Sequence, residues 1–326
     1  MTLAQQQRFT ASTQGVYFFG TTPPKGSTDD MQMDEIATKL LQRLENLDYD
    51  GLIVYDIQDE SSRTDKPRPF PFMGTRDSRE YSALLAQKSD HTVITYKSVS
   101  QRDKASFEQW LNQAWSDYGV RNLVLVGSPS SDASIKLSLS EAYNTLADSE
   151  HNFSLGGVTI AERHASKGNE HRRLVDKSNK GCDFFVSQAV YDADATIKLL
   201  QEYAQLCQQQ DQQPSRIILT FTPCGSAKTL EFMNWLGIAV PEATRAEILQ
   251  AESPLQQSVQ ICHRNLERIL AACLPLGIPV GLNIESLTNR KEEIDASIQL
   301  FTQLKDTLEQ RLGETENRAA EGIVAA

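Results

Sequence analysis

Eight short runs of β-branched, aromatic and aliphatic residues are spaced along the chain: GVYFF, GLIVY, HTVITY, NLVLVG, SLGGVTI, DFFVSQ, RIILTF and IPVGLNI. Between them lie stretches in which apolar residues return every three or four positions, as in MDEIATKLLQRLENL, ASFEQWLNQAWSDYG, ATIKLLQEYAQLC and AKTLEFMNWLG. The short continuous runs read as strands buried on both faces, and the longer period reads as amphipathic helices. Their alternation predicts parallel βαβ units, and eight of them predict an α/β fold, the (β/α)8 TIM barrel. The gap between RIILTF and IPVGLNI is roughly double the others; it holds a short helix after Pro241 and a long one around SVQICHRNLERILAACL. An extra helix before the last strand is therefore expected. Ser140-Glu141 and Asp192 read as helix starts, and Gly181 and Gly277 as positions just past helix ends. The last helix loses its apolar stripe, so a single barrel domain over 1–312 and a flexible tail over 313–326 are expected.

Composition narrows the class. With 40% hydrophobic and 23% charged residues, the chain is a folding one rather than a disordered one. A net charge of −11 argues against a nucleic-acid partner, which selects a basic face. It leaves small ligands open, because a local basic pocket can exist in an acidic protein. The five cysteines are odd in number, with no CxxC pair and no Cys/His cluster at zinc spacing. They read as reduced thiols, and no metal is expected. MTLAQQQRFTASTQG lacks the apolar core of a signal peptide, and no segment runs to about eighteen uninterrupted apolar residues. A cytoplasmic protein without membrane contact is expected.

In such a barrel the chemistry sits at the carboxyl ends of the strands, which makes the polar residues ending each run the shortlist. These are Gly20 to Gly26, Asp56 to Glu60, Gly127-Ser128, Glu162-Arg163-His164, Ser187-Gln188 and Asn283 to Glu285. The long loop after the second run carries Arg63, Lys66 and Arg68, which either meet phosphates or a carboxylate tail, or pair with Asp59, Glu60 and Asp65. After the fifth run, Glu170, Arg173 and Lys177 share one side of a helix, either as a stripe for a dinucleotide or as a salt-bridged face. His164 reads as an acid/base or ring-contacting group, and His171 as a surface or supporting residue. SPSSD and PCGS are short phosphate-nest candidates without a Walker or GxGxxG pattern. Neither a Ser/His/Asp order nor a nucleophile elbow supports a hydrolase.

Together TTPPKG, the aromatic-ended second run, NLVLVGS, ERH with its lysine-bearing helix, NKGCDFFVSQAVYD and LTNR resemble the methylenetetrahydrofolate reductase family. The resemblance covers nearly the whole chain. It implies a (β/α)8 flavoprotein of one-carbon metabolism and methionine biosynthesis. Such an enzyme reduces 5,10-methylenetetrahydrofolate to 5-methyltetrahydrofolate, with FAD as cofactor and NADH or NADPH as electron donor. Carried over residue by residue, it assigns Gln188 to the pterin ring, with Ser128, Tyr191 and Glu285 as further substrate contacts. Tyr55, His164, Glu170, Arg173 and Lys177 fall at or near flavin contacts. Two acids of the family are absent. Gly20 stands where a glutamate supplies the proton, and Val126-Gly127-Ser128 replaces Arg-Gly-Asp. The departures open a version without FAD, taking hydride directly from the nicotinamide, with Glu60 and Glu162 as candidate catalytic acids. Alternatives are a folate-dependent methyltransferase or demethylase component, and a non-catalytic folate-binding regulatory protein. The outer helices offer faces for a homo-oligomer or an electron-donor subunit.

Overall fold

The computed structural model describes residues 13–60, 64–128 and 135–320. Arg63, the part of SPSSD after Ser128 and the end of the expected tail lie outside the described residues. All eight apolar runs form strands: β1 (Tyr17–Thr21), β2 (Gly51–Val54), β3 (Thr92–Ser98), β4 (Asn122–Val126), β5 (Ser154–Thr159), β6 (Cys182–Ala189), β7 (Arg216–Phe221) and β8 (Val280–Ile284). The described helices are α1 (Asp30–Leu44), α2 (Ser78–Lys88), α3 (Lys104–Ser116), α4 (Leu139–Ala147), α5 (Ala161–Lys167), α6 (Glu170–Ser178), α7 (Ala193–Gln209), α8 (Ala227–Trp235), α9 (Glu242–Gln250), α10 (Pro254–Cys273) and α11 (Lys291–Ala320). The strands follow one another in chain order around a closed barrel. Gly20 stands opposite Ile53 and Leu219 opposite Leu282, both in parallel register. The fold is the expected (β/α)8 TIM barrel, with α9 and α10 filling the long gap before β8.

Every residue of β2 and β7 is buried, as parallel strands covered on both faces require. The chain divides into two compact units by its internal contacts. One holds Phe18–Val158 and Asn179–Asp183; the other holds the segment ending at Tyr17, Thr159–Ser178 and the chain from Phe184 onward. The first has Leu52, Ile53, Ile94 and Leu123 fully buried at its centre, the second Phe184, Phe185, Ile217 and Ile284.

Helix punctuation follows local chemistry. Asp192 caps α7 by accepting from the Ala195 amide at 2.9 Å. At α4 the cap is Ser138 rather than Ser140. Its hydroxyl accepts from the Glu141 amide while the Glu141 carboxylate accepts from the Ser138 amide, a reciprocal capping box. Gly181 and Gly277 adopt φ of 93° and 71°, the left-handed conformation that ends a helix cheaply only at glycine. Among the residues whose burial is described, Leu312 is the last buried one of α11, and the helix runs on to Ala320. All five cysteines are buried and free. Among the described residues no helix is long and apolar enough to cross a membrane.

Candidate functional site

In the second unit, β6 buries Phe184, Phe185 and Val186 and then breaks its pairing: the register with β7 shifts between Val186 and Ala189. Ser187 and Gln188 occupy the irregular step, a device that re-aims side chains at strand ends. Ser187 Oγ fills the gap, accepting from the Thr220 amide and donating to the Gln188 carbonyl, each at 2.8 Å. Gln188 Nε2 donates to the Leu236 carbonyl at 2.9 Å, where α8 ends and Gly237, at φ 81°, turns the chain away. The amide is thus tethered by its nitrogen, leaving its oxygen to accept from a ligand.

Glu162, in the first turn of α5, reaches the same segment and accepts from the Ala239 amide at 3.1 Å. Burial raises its carboxyl above the ordinary 4.5, and the nearby charge of Asp192 pushes the same way, against two backbone hydrogen bonds that lower it. A carboxyl held protonated above its ordinary range is suited to donate a proton. The raised value also fixes a sign for stability. Glu162 contributes fully below 4.5, and that contribution is lost as pH rises through the raised value. Glu162→Gln is therefore expected to gain stability relative to wild type as pH climbs across this window. Denaturant unfolding at stepped pH measures it, and parallel curves for the two proteins would refute it. Thr159, Glu162, Ser187, Gln188, Asp192 and Thr196 line a recess of about 10 Å³, room for one water. A recess of that size is too small to hold a ring system.

The residues that the resemblance assigns to FAD are employed elsewhere. Glu170 is fully buried, with its carboxylate bonded by Arg163 Nη1 at 3.0 and 3.1 Å, by Arg173 Nε at 3.2 Å and by the Ile160 amide at 3.3 Å. Lys177 is buried with its ammonium 5.9 Å from the centre of the Phe185 ring. His164 is buried beside His171 and Glu202. Of the four such residues in this unit only Arg173 is well exposed, so the set does not fit a flavin-contacting role. On α6 the Glu170–Arg173 pair of the salt-bridged reading is present, but Glu170 and Lys177 are buried and do not lie on an outer face. Tyr191 is also buried, and its hydroxyl donates to the Thr222 carbonyl at 2.7 Å. Glu285 is half-buried at the end of β8, its amide donating to the Phe221 carbonyl at 3.1 Å.

In the first unit the end of β2 meets β3 through Asp56, which accepts from Lys97 Nζ and the Ser98 amide at 2.8 Å and from Gln58 Nε2 at 3.0 Å. Tyr55 lays its ring edge-on to Tyr96 with centroids 4.8 Å apart. Ser128 and Glu60 are half-buried, and Glu60, with Asp59, opposes the effect that burial has on Arg68. Lys97 was not on the shortlist. Its signal is a lysine inside the strand run HTVITYKSVS, where a buried ammonium requires an acidic partner. An open groove of about 320 Å³ lined by Tyr143, Glu150, His151, Asn152 and Lys180 lies at the amino ends of β5 and β6, the end of a barrel that governs stability rather than chemistry.

No family model, that of the methylenetetrahydrofolate reductases included, and no curated protein matches the chain. Among solved structures, 2,3-dimethylmalate lyase, a PEP mutase/isocitrate lyase superfamily member, and oxaloacetate acetylhydrolase each share 12% identity with it. The first covers 100% of both chains with a TM-score of 0.48, the second 96% of this chain and 94% of its own with 0.45; at that distance neither carries an argument. An uncharacterized protein from Clostridium thermocellum, which binds two copies of 5-methyl-5,6,7,8-tetrahydrofolic acid, shares 35% identity over 94% of this chain and 99% of its own, with a TM-score of 0.78. With that identity across nearly the whole of both molecules, the chain belongs to the family of this Clostridium thermocellum protein.

Proposed function

We propose that the chain binds a reduced folate of the 5-methyltetrahydrofolate class at the carboxyl end of β6, with the pterin edge on Gln188 and Glu162 as the protonatable group beside it. The observation that carries this reading is the 35% identity, over nearly all of both chains, to a protein that binds 5-methyltetrahydrofolate. The tethered Gln188 amide supports it, since a pterin edge presents the donors and acceptors a primary amide can meet.

The finer reading is reduction of 5,10-methylenetetrahydrofolate to 5-methyltetrahydrofolate with hydride taken directly from NADH or NADPH. Proton transfer to N10 breaks the bond between N10 and the bridging carbon and leaves an iminium on N5. Hydride delivered to that carbon completes the methyl group and oxidises the dinucleotide. Glu162 is the acid this requires, because burial keeps its carboxyl protonated above the ordinary range. The burial of Glu170, Lys177 and His164 favours this version without FAD.

Calorimetric titration of the purified chain with 5-methyltetrahydrofolate tests the binding. Anaerobic oxidation of NADH or NADPH with 5,10-methylenetetrahydrofolate, with and without added FAD, tests the reaction. Saturable binding with FAD-independent turnover is expected. Binding without turnover in any arm removes the reductase reading and leaves a methyl-transfer component or a regulatory folate binder. Absence of binding removes the proposal.

A further inference from the structure

The second unit gathers two imidazoles and a carboxylate from three successive helices: His164 of α5, His171 of α6 and Glu202 of α7. One donor atom from each lies within 4.8 Å of the others. His164 Nε2 is 3.2 Å from Glu202 Oε2 and His171 Nδ1 is 3.6 Å from the same oxygen. Neither approach has hydrogen-bond alignment. Both nitrogens of His164 and Nδ1 of His171 are buried without a hydrogen-bond partner, and the His164 side chain is only 1% exposed. Burying such groups without hydrogen-bond partners is unfavourable, so the cluster is strained as it stands.

From this geometry we propose that His164, His171 and Glu202 form a divalent transition-metal site that Zn²⁺ can fill, with water as a fourth ligand on the side where Glu202 reaches solvent. Tetrahedral zinc with bonds of about 2.0–2.1 Å sets its donors roughly 3.4 Å apart; the two separations to Glu202 bracket that spacing, and all three donors lie within 4.8 Å of one another. Two imidazoles with one carboxylate match zinc better than magnesium or calcium, which take oxygen ligands. A metal here would join α5 to α6 and α7. A helix as short as α5 is marginal on its own, and it carries Glu162 two residues before His164. The role is therefore to pin the segment that presents Glu162. The site is independent of which folate binds, or whether one does.

The test uses the full-length protein, stripped with a chelator, incubated with Zn²⁺, dialysed and measured by elemental analysis and thermal unfolding. One retained equivalent and a raised melting temperature are expected. Glu202→Gln and His171→Ala, both at the more accessible side of the cluster, should lose the equivalent or weaken binding by about 100-fold. Co²⁺ in place of zinc should give the visible bands of a four-coordinate site without thiolate charge transfer, separating this site from the five cysteines. No zinc retained by the wild type overturns the proposal. So does equal retention by both variants, or a thiolate signature with cobalt.

Discussion

Gly51→Ala is expected to cost the protein about 3–5 kcal/mol, enough to leave a large share of it unfolded or aggregated on expression. Gly51 opens β2 between Phe18 of β1 and Thr92 of β3. A β-carbon there would overlap the Thr92 carbonyl oxygen and stand 2.9 Å from Phe18 Cε1 and 3.0 Å from the Thr92 carbonyl carbon. The nearest obstacles are backbone and a core ring, so no rotamer change relieves the contact; two barrel strands would have to part. Gly74, with nothing within 4 Å of its would-be β-carbon, is the control. Gly74→Ala should stay within about 0.5 kcal/mol of wild type. Chemical denaturation of both variants decides the point, and a Gly51→Ala protein as stable as the control would refute the close approach.

Gln188→Ala is expected to weaken 5-methyltetrahydrofolate binding by about 10–100-fold, the equivalent of roughly 1.4–2.8 kcal/mol. The substitution removes the acceptor proposed for the pterin edge and also the tether to the Leu236 carbonyl. Those two losses separate by experiment. The tether is one half-buried hydrogen bond, worth about 1 kcal/mol of stability, whereas the pterin contact shows only in the titration. A variant that unfolds slightly more easily but binds folate as tightly as wild type would make Gln188 a clamp on the end of α8 and nothing more. Gln188→Glu sharpens the test. It replaces the amide donor with a charge facing the Leu236 carbonyl, so both stability and affinity should fall.

The strands were legible because their signal is local. Residues such as Leu52-Ile53-Val54 or Ile217-Ile218-Leu219 announce a strand buried on both faces, and eight such runs separated by helical periods leave few topologies other than the barrel. The helix caps were nearly as legible, with Asp192 read correctly and the α4 cap two residues from its place. Site candidates were legible only as positions, since the barrel rule picks out strand ends without saying which way a side chain points. Gln188 was on the shortlist for that reason. The missing pairing between Val186 and Ala189, which aims it, depends on how β7 lies beside β6. Glu170 and Lys177 looked like a cofactor stripe because spacing places them on one helix face, and spacing is blind to what covers that face.

The sequence by itself therefore determined the eight-stranded α/β barrel, the candidate strand ends and the absence of acidic side chains at Gly20 and Ser128. The tertiary structure alone decided that Glu170 and Lys177 are internal, that Asp56 holds Lys97, that Glu162 carries a raised pKa, and that His164, His171 and Glu202 converge. The division has one physical cause. Hydrophobic periodicity is written in neighbouring residues, whereas burial, ion pairing and ligand geometry arise between residues that only the folded chain brings into contact.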